Sequence, residues 1–295
     1  MTRGLVPVYR LRPSPLHAAR AGATAALCFS LALVCGLYKH PLVLLAVVAA
    51  VVGAGVAAGV GGEIARAARL AVPLVALVTL INPLVYAEGE TLLVRGHSFL
   101  GHRFDITLEA LAAGGLAGLR VGAFTMAFGL FSACVDPDEL LRLFRRVSYR
   151  SALTASLATR LVPVLARDAL RMGDAARCRA EPPGRVAVTR AAVAGALDRA
   201  VDVAAALEVR GYSAGGRPER ERRPWSRHDL RALAAAGMIA LAAVGGRFAD
   251  AAHVDEYPSL GVPLGGFELT FAACILAAAA LPFAGRAARL GVARV

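Results

Sequence analysis

Apolar residues fall into six long blocks along the chain, near 21–38, 41–60, 69–86, 108–133, 229–246 and 266–284. A helix needs roughly 17 to 25 residues, at 1.5 Å each, to cross about 30 Å of hydrocarbon. The pattern therefore predicts an all-α, polytopic membrane protein with about six spans. Only Lys39, His40 and Pro41 separate the first two blocks, which requires a tight hairpin. The third block contains Pro73 and the Asn82-Pro83 pair, whose missing amides predict kinks or a short helix.

Between the fourth and fifth blocks the pattern changes to an amphipathic helical one, which divides the chain into membrane regions 1–133 and 229–295 around an insert, 134–228. Asp136-Pro137-Asp138-Glu139 is a helix start, with an N-cap carboxylate, Pro at the first helical position and acids in the first turn. It predicts a short helix near 137–147. Leu153, Leu157, Leu161, Val164, Leu165, Ala169 and Met172 then recur at helical spacing from Ser151 toward Arg179, with Pro163 expected to bend that helix. Glu181-Pro182-Pro183-Gly184 stops it. A third helix is predicted from Val186 to Arg210, with Val193, Leu197, Val201, Ala204 and Leu207 on one stripe and Gly211 where a C-cap needs a left-handed residue. A polar stretch from Ser213 to Arg227 leads back to the membrane.

Composition agrees with a bilayer environment: 57% of the residues are hydrophobic and the mean hydropathy is +0.59. The formal charge of +12 is explained by topology, because Lys and Arg near span ends stay on the cytoplasmic side. Arg3, Arg10, Arg12 and Arg20 precede the first span, Arg66 and Arg69 lie between the second and third, and Arg286, Arg289 and Arg294 follow the last. The alternate connections are poor in cations. Six spans with both termini in the cytoplasm satisfy every segment and place the insert, with 18 of the 33 basic residues, in the cytoplasm. Interspersed acids and few aromatic residues argue against nucleic acid as its partner. The first apolar block is read as a retained membrane helix rather than a cleaved leader, since no small-residue cleavage signature precedes Tyr38-Lys39-His40.

Candidate chemistry is sparse. The five cysteines form no CxxC pair, and His97 and His102 are too far out of phase to share a helical face, so no metal site is expected. The only lysine, Lys39, sits at a membrane hairpin and cannot serve a phosphate-binding loop. No nucleophile elbow, HExxH or paired carboxylates appear. The chain is therefore expected to be no enzyme and to hold no cofactor, with energy supplied by another subunit. Gly114, Gly118 and Gly122 form a small-residue stripe in the fourth span, and Gly55 and Gly59 repeat the spacing in the second. Such stripes serve internal packing or a face for a second membrane protein. Arg120 lies within the fourth span, where a charge is costly enough to be a functional candidate, with snorkelling or an internal partner as the alternatives.

The two longest predicted cytoplasmic helices end in Ala175-Ala176-Arg177-Cys178-Arg179-Ala180 and in Ala206-Leu207-Glu208-Val209-Arg210-Gly211-Tyr212. Each carries an arginine at a small-residue tip, which is also what an ordinary helix C-terminus favours. At these residues the chain resembles the transmembrane T component of energy-coupling factor transporters, the family that includes the cobalt-transport permease subunit. That family carries two short Ala-Arg-Gly-like motifs, matched here by Cys178-Arg179-Ala180, which keeps only the arginine, and by Val209-Arg210-Gly211. Ser14-Pro15-Leu16-His17, Ile81-Asn82-Pro83-Leu84, Leu119-Arg120-Val121 and Thr159-Arg160-Leu161-Val162-Pro163 are also similar to the family, so the resemblance spans most of the chain.

The resemblance implies a scaffold in the lipid bilayer that joins a membrane-embedded, substrate-binding S component to two cytoplasmic ATPase subunits, for uptake of a vitamin or a transition metal. Arg179 and Arg210, with Cys178, Ala180, Val209, Gly211 and Glu208 around them, would dock the ATPases. Gly55, Gly59, Gly114, Gly118, Gly122 and Arg120 would serve membrane packing or the S component. The alternative is a self-sufficient transporter or channel with a regulatory insert, for which the spans offer few polar residues beyond Arg120, Thr79, Asn82 and Thr125.

Overall fold

A computed structural model describes residues 9, 11–85, 92–94, 98–99, 102–103, 106–144, 149–181, 183–211, 224–248 and 266–284. Among them, the helices are α1 (Pro15–Ala18), α2 (Ala21–Leu37), α3 (Pro41–Ala57), α4 (Gly61–Val85), α5 (Leu108–Cys134), α6 (Pro137–Phe144), α7 (Tyr149–Arg177), α8 (Arg185–Val209), α9 (Arg227–Phe248) and α10 (Gly266–Ala280). α10 continues into a 3-10 turn over Leu281–Phe283. The protein is a multi-pass, all-α membrane protein. α4, α5, α9 and α10 with its 3-10 turn are long and apolar enough to span, and α2 and α3 are apolar helices of 17 residues. Two small antiparallel ribbons lie between α4 and α5: β1 (Leu92–Val94) pairs with β4 (Ile106–Thr107), and β2 (Ser98–Phe99) with β3 (His102–Arg103). His102 thus lies on a strand of what the sequence presented as a loop. His97, residues 145–147 of the short-helix prediction, most of the polar stretch after Ser213 and the C-terminal arginines lie outside the described residues.

Helix ends follow local chemistry. Pro41 starts α3 directly after the hairpin, and Thr107 caps α5 by accepting the Ala110 amide at 3.3 Å. Gly59, at φ +73, falls beyond the end of α3 and turns the chain into α4, with the Arg12 guanidinium donating to its carbonyl. Gly55 and Gly59 therefore do not share one helical stripe: the left-handed residue ends the helix between them. α4 is also longer than its apolar block, starting at Gly61 and continuing past Pro73 and Asn82-Pro83 to Val85. On its first turns Arg66 pairs with Glu63 at 2.6 Å, an i,i+3 ion pair that supports the helix beyond its apolar part.

The chain divides into two compact units, Met1–Leu140 with Trp225–Val295, and Leu141–Pro224. In the first, α2 lies at the centre, against α3, α5 and α9, and the core gathers Leu27, Leu31 and Val34 of α2 with Val43, Leu44, Val47, Leu130, Ile239 and Ile275. Tyr38 closes the α2–α3 hairpin. Its ring is buried beside Phe271, 4.9 Å between centroids, and its hydroxyl donates to the Ala243 carbonyl at 2.8 Å. Gly246 leaves room for that hydroxyl, since a Cβ there would lie 2.4 Å from it.

Candidate coupling surface

The second unit is built on α7 and α8. Asp168 meets Arg199 at 2.7 Å, and the Met172 methyl lies 3.6 Å from where a Cβ of Gly195 would stand. Four residues forward on α7 thus correspond to four residues back on α8, which defines an antiparallel hairpin. Along α7, the predicted apolar residues Leu153, Leu157, Leu161, Val164, Leu165 and Met172 are half-buried, while Ala169 is exposed. α8 differs from the sequence expectation. Val193, Leu197 and Val201 of the predicted stripe are 57%, 66% and 65% exposed and Ala204 is exposed too, while its Leu207 is half-buried together with Val188, Ala192, Gly195, Ala196, Arg199 and Val203. Small residues let the two backbones approach, so the larger side chains point outward. α7 runs on through Pro163, whose carbonyl accepts from Arg167 Nε at 3.2 Å.

Both arginine tips are exposed. α7 ends at Arg177, so Arg179 lies two residues beyond the helix in the turn toward α8, with its amide 3.4 Å from the Ala176 carbonyl and with Cys178 and Ala180 equally exposed. Arg210 is the C-cap of α8. Gly211 follows at φ +77 with its amide donating to the Glu208 carbonyl at 2.9 Å, and Val209 beside it is 90% exposed. A C-terminal helix cap thus presents the Val209-Arg210-Gly211 tip, where Gly211 takes a conformation that most side chains resist. The 25 residues of α8 separate the two arginine tips by roughly 37 Å along its axis.

In the membrane unit, the glycine stripe of α5 packs against α4. A Cβ at Gly114 would lie 2.9 Å from the Thr79 carbonyl oxygen, one at Gly118 2.6 Å from Thr79 Oγ1, and one at Gly122 2.9 Å from Val75 Cγ2. Gly55 makes the same kind of approach between α3 and α4, where its Cβ would meet Ile64 at 2.4 Å. Arg120 has internal partners: its Nε donates to the Cys35 carbonyl at 2.6 Å and an Nη to the Gly36 carbonyl. Those carbonyls belong to the last turn of α2, where they have no intrahelical donors and where a cation is favoured. A cavity of about 510 Å³ opens beside them, lined by Lys39, Asn82, Phe124 and Thr125 among others.

The sequence profile of the cobalt transport protein family, CbiQ, matches residues 12–221, well over half of the chain. The chain belongs to that family. The match covers the N-terminal motif, the first four spans and both arginine tips, and it agrees with the T-component resemblance. As a cobalt transport family member and a multi-pass membrane protein, the chain has its broad role in membrane transport. Comparison with curated proteins returns no match.

The geometry also gives the family-like segments local work. Ser14 caps α1 and bonds His17 Nδ1 at 2.6 Å, Leu16 is buried, and its carbonyl accepts from Thr24 at 2.8 Å, so Ser14-Pro15-Leu16-His17 folds the N-terminal segment onto α2. The Tyr9 phenol nearby is held above its ordinary pKa, by burial first and then by the Asp136 and Glu139 charges. Sequence reading did not anticipate the roles of Asp229 and Glu139 at the first turn of α2. Asp229, 1% exposed, accepts the Arg20 amide at 2.7 Å and the Ser226 amide at 2.9 Å, and Glu139 accepts the Ala21 amide at 3.1 Å. Ser226-Arg227-His228-Asp229 has capping-box spacing, which was a legible signal for α9; the reach across to α2 was not.

Proposed function

We propose that this chain is the T component of an energy-coupling factor importer: a membrane scaffold that docks two cytoplasmic ATPases on Arg179 and Arg210 and carries a substrate-binding S component beside its spans. The observation that carries the proposal is the placement of two exposed arginine tips at opposite ends of one long helix, about 37 Å apart. No single groove receives both, so two docking sites are needed. A guanidinium fork is suited to carboxylates or carbonyls lining such a groove. On this account ATP is hydrolysed only in the partner subunits, and the chain itself catalyses nothing. The alternation of cation-rich and cation-poor connections orients both termini and the α6–α8 insert toward the cytoplasm, where ATP is. The family description makes cobalt(II) the first substrate to test.

The test is co-purification of detergent-solubilised protein with ATPase subunits from its host, comparing the native chain with Arg179→Glu, Arg210→Glu and the double variant. Loss of one buried charged contact costs roughly 2 to 5 kcal/mol of association, so the double variant is expected to emerge without ATPase. Retention of ATPases by the double variant contradicts the proposal and favours a self-sufficient transporter.

A further inference from the structure

The unit that carries α7 and α8 is joined to the membrane unit at two points, Leu140/Leu141 and Pro224/Trp225. Both points are tied to the same turn of the same helix. One residue before the first, Glu139 Oε2 accepts the Ala21 amide at 3.1 Å, and Leu140 packs on the cluster of Ala21, Ala25 and Val135. At the second, the Arg20 guanidinium stands 4.5 Å over the Trp225 ring. Asp229 there accepts the Arg20 and Ser226 amides, and its Oδ2 lies 3.5 Å from Arg20 Nε.

Arg20 and Ala21 are the N-cap and first residue of α2, and the Arg20 side chain makes no cap hydrogen bond of its own. The first amides of a helix have no acceptor within it, and its N-terminal end favours negative charge. Two carboxylates, one from α6 and one from α9, fill that vacancy with charge-assisted hydrogen bonds. At its far end α2 is held by Arg120, a cation on the terminus that favours cations. The central helix of the membrane unit is thus gripped at both ends by charges of the sign its dipole prefers.

We infer that the first turn of α2 is the anchor through which movement of the α7–α8 unit enters the spans, with Glu139 and Asp229 as positioning residues. This inference rests on the scaffold proposal. A pull on either connection acts along the backbone on α5 or α9 and, through these carboxylates, on α2 at the same time, and α2 contacts α3, α5 and α9 directly. Without the two carboxylates the connections still pull on α5 and α9 one at a time, but α2 no longer joins the two pulls into one movement of the spans.

The test uses the complete complex purified from its host and reconstituted in vesicles, with native chain, Glu139→Gln, Asp229→Asn and the double variant. ATP hydrolysis, uptake of radiolabelled cobalt(II) and hydrogen exchange in peptides covering residues 19–25 are recorded on the same preparations. Replacing a charged acceptor by a neutral one is expected to speed exchange of the Arg20 and Ala21 amides about tenfold. ATPases remain bound and hydrolysing, and cobalt moved per ATP falls at least as far in the double variant. Bound ATPases with unchanged cobalt per ATP overturn the inference and leave the scaffold intact. Failure of the native chain to retain ATPases overturns the scaffold proposal and the inference with it.

Discussion

Single residues decide how closely the membrane helices approach. Gly118 and Gly115 are three positions apart on α5, yet only the first faces another helix: a Cβ on Gly118 would sit 2.6 Å from Thr79 Oγ1, and one on Gly115 meets nothing within 4 Å. Gly118→Ala is therefore expected to lower stability by about 1 to 3 kcal/mol through overpacking, and Gly115→Ala to leave the thermal midpoint in detergent unchanged or raised. Equal effects would mean that α4 and α5 do not meet along this stripe. Arg120→Ala withdraws the donors from the Cys35 and Gly36 carbonyls, and each charge-assisted hydrogen bond contributes about 1.5 to 3 kcal/mol. Thermal unfolding should show a loss of that order, partly restored by Arg120→Lys. The sequence marked Gly114, Gly118 and Gly122 as a small-residue stripe for internal packing or a second membrane protein, and Arg120 as a charge whose place in the span called for an explanation. It did not show which helix lay opposite, because that depends on contacts between residues distant along the chain.

At the level of elements, the spans and most helix ends were legible because their signals are local. Pro137 after Asp136, Gly211 after Arg210 and the uninterrupted apolar blocks each act within a turn of the residue that carries them. The outward face of α8 was not legible. Hydrophobicity marked Val193, Leu197 and Val201, but close approach to α7 selects Ala192, Gly195 and Ala196. A size argument therefore outweighed a polarity argument. Gly195→Leu should consequently disturb the hairpin more than Leu197→Ala, because the first drives a side chain into Met172 while the second trims an exposed one. Limited proteolysis of the full-length protein in detergent reads the difference: faster cleavage within α7 and α8 for Gly195→Leu alone agrees with the packing described, and equal rates do not.

For the whole molecule, the scaffold proposal requires α7 and α8 to lie in the cytoplasm, and the exposed thiol tests that placement. Cys178 is an exposed thiol at the Arg179 tip, whereas Cys28, Cys35 and Cys134 are buried. With Cys274, which is partly exposed, replaced by Ala, a membrane-impermeant maleimide should therefore label Cys178 in inside-out vesicles and not in intact cells, and labelling of Cys178 in intact cells would contradict a cytoplasmic insert. The central claim is that two separate arginine tips hold two ATPases. Native mass spectrometry of the detergent-purified assembly tests it most directly, by counting ATPase subunits on the native chain and on each arginine variant. Two ATPases on the native chain, one on Arg179→Glu or Arg210→Glu and none on the double variant is the predicted result; two ATPases on every variant, or none on the native chain, would contradict it.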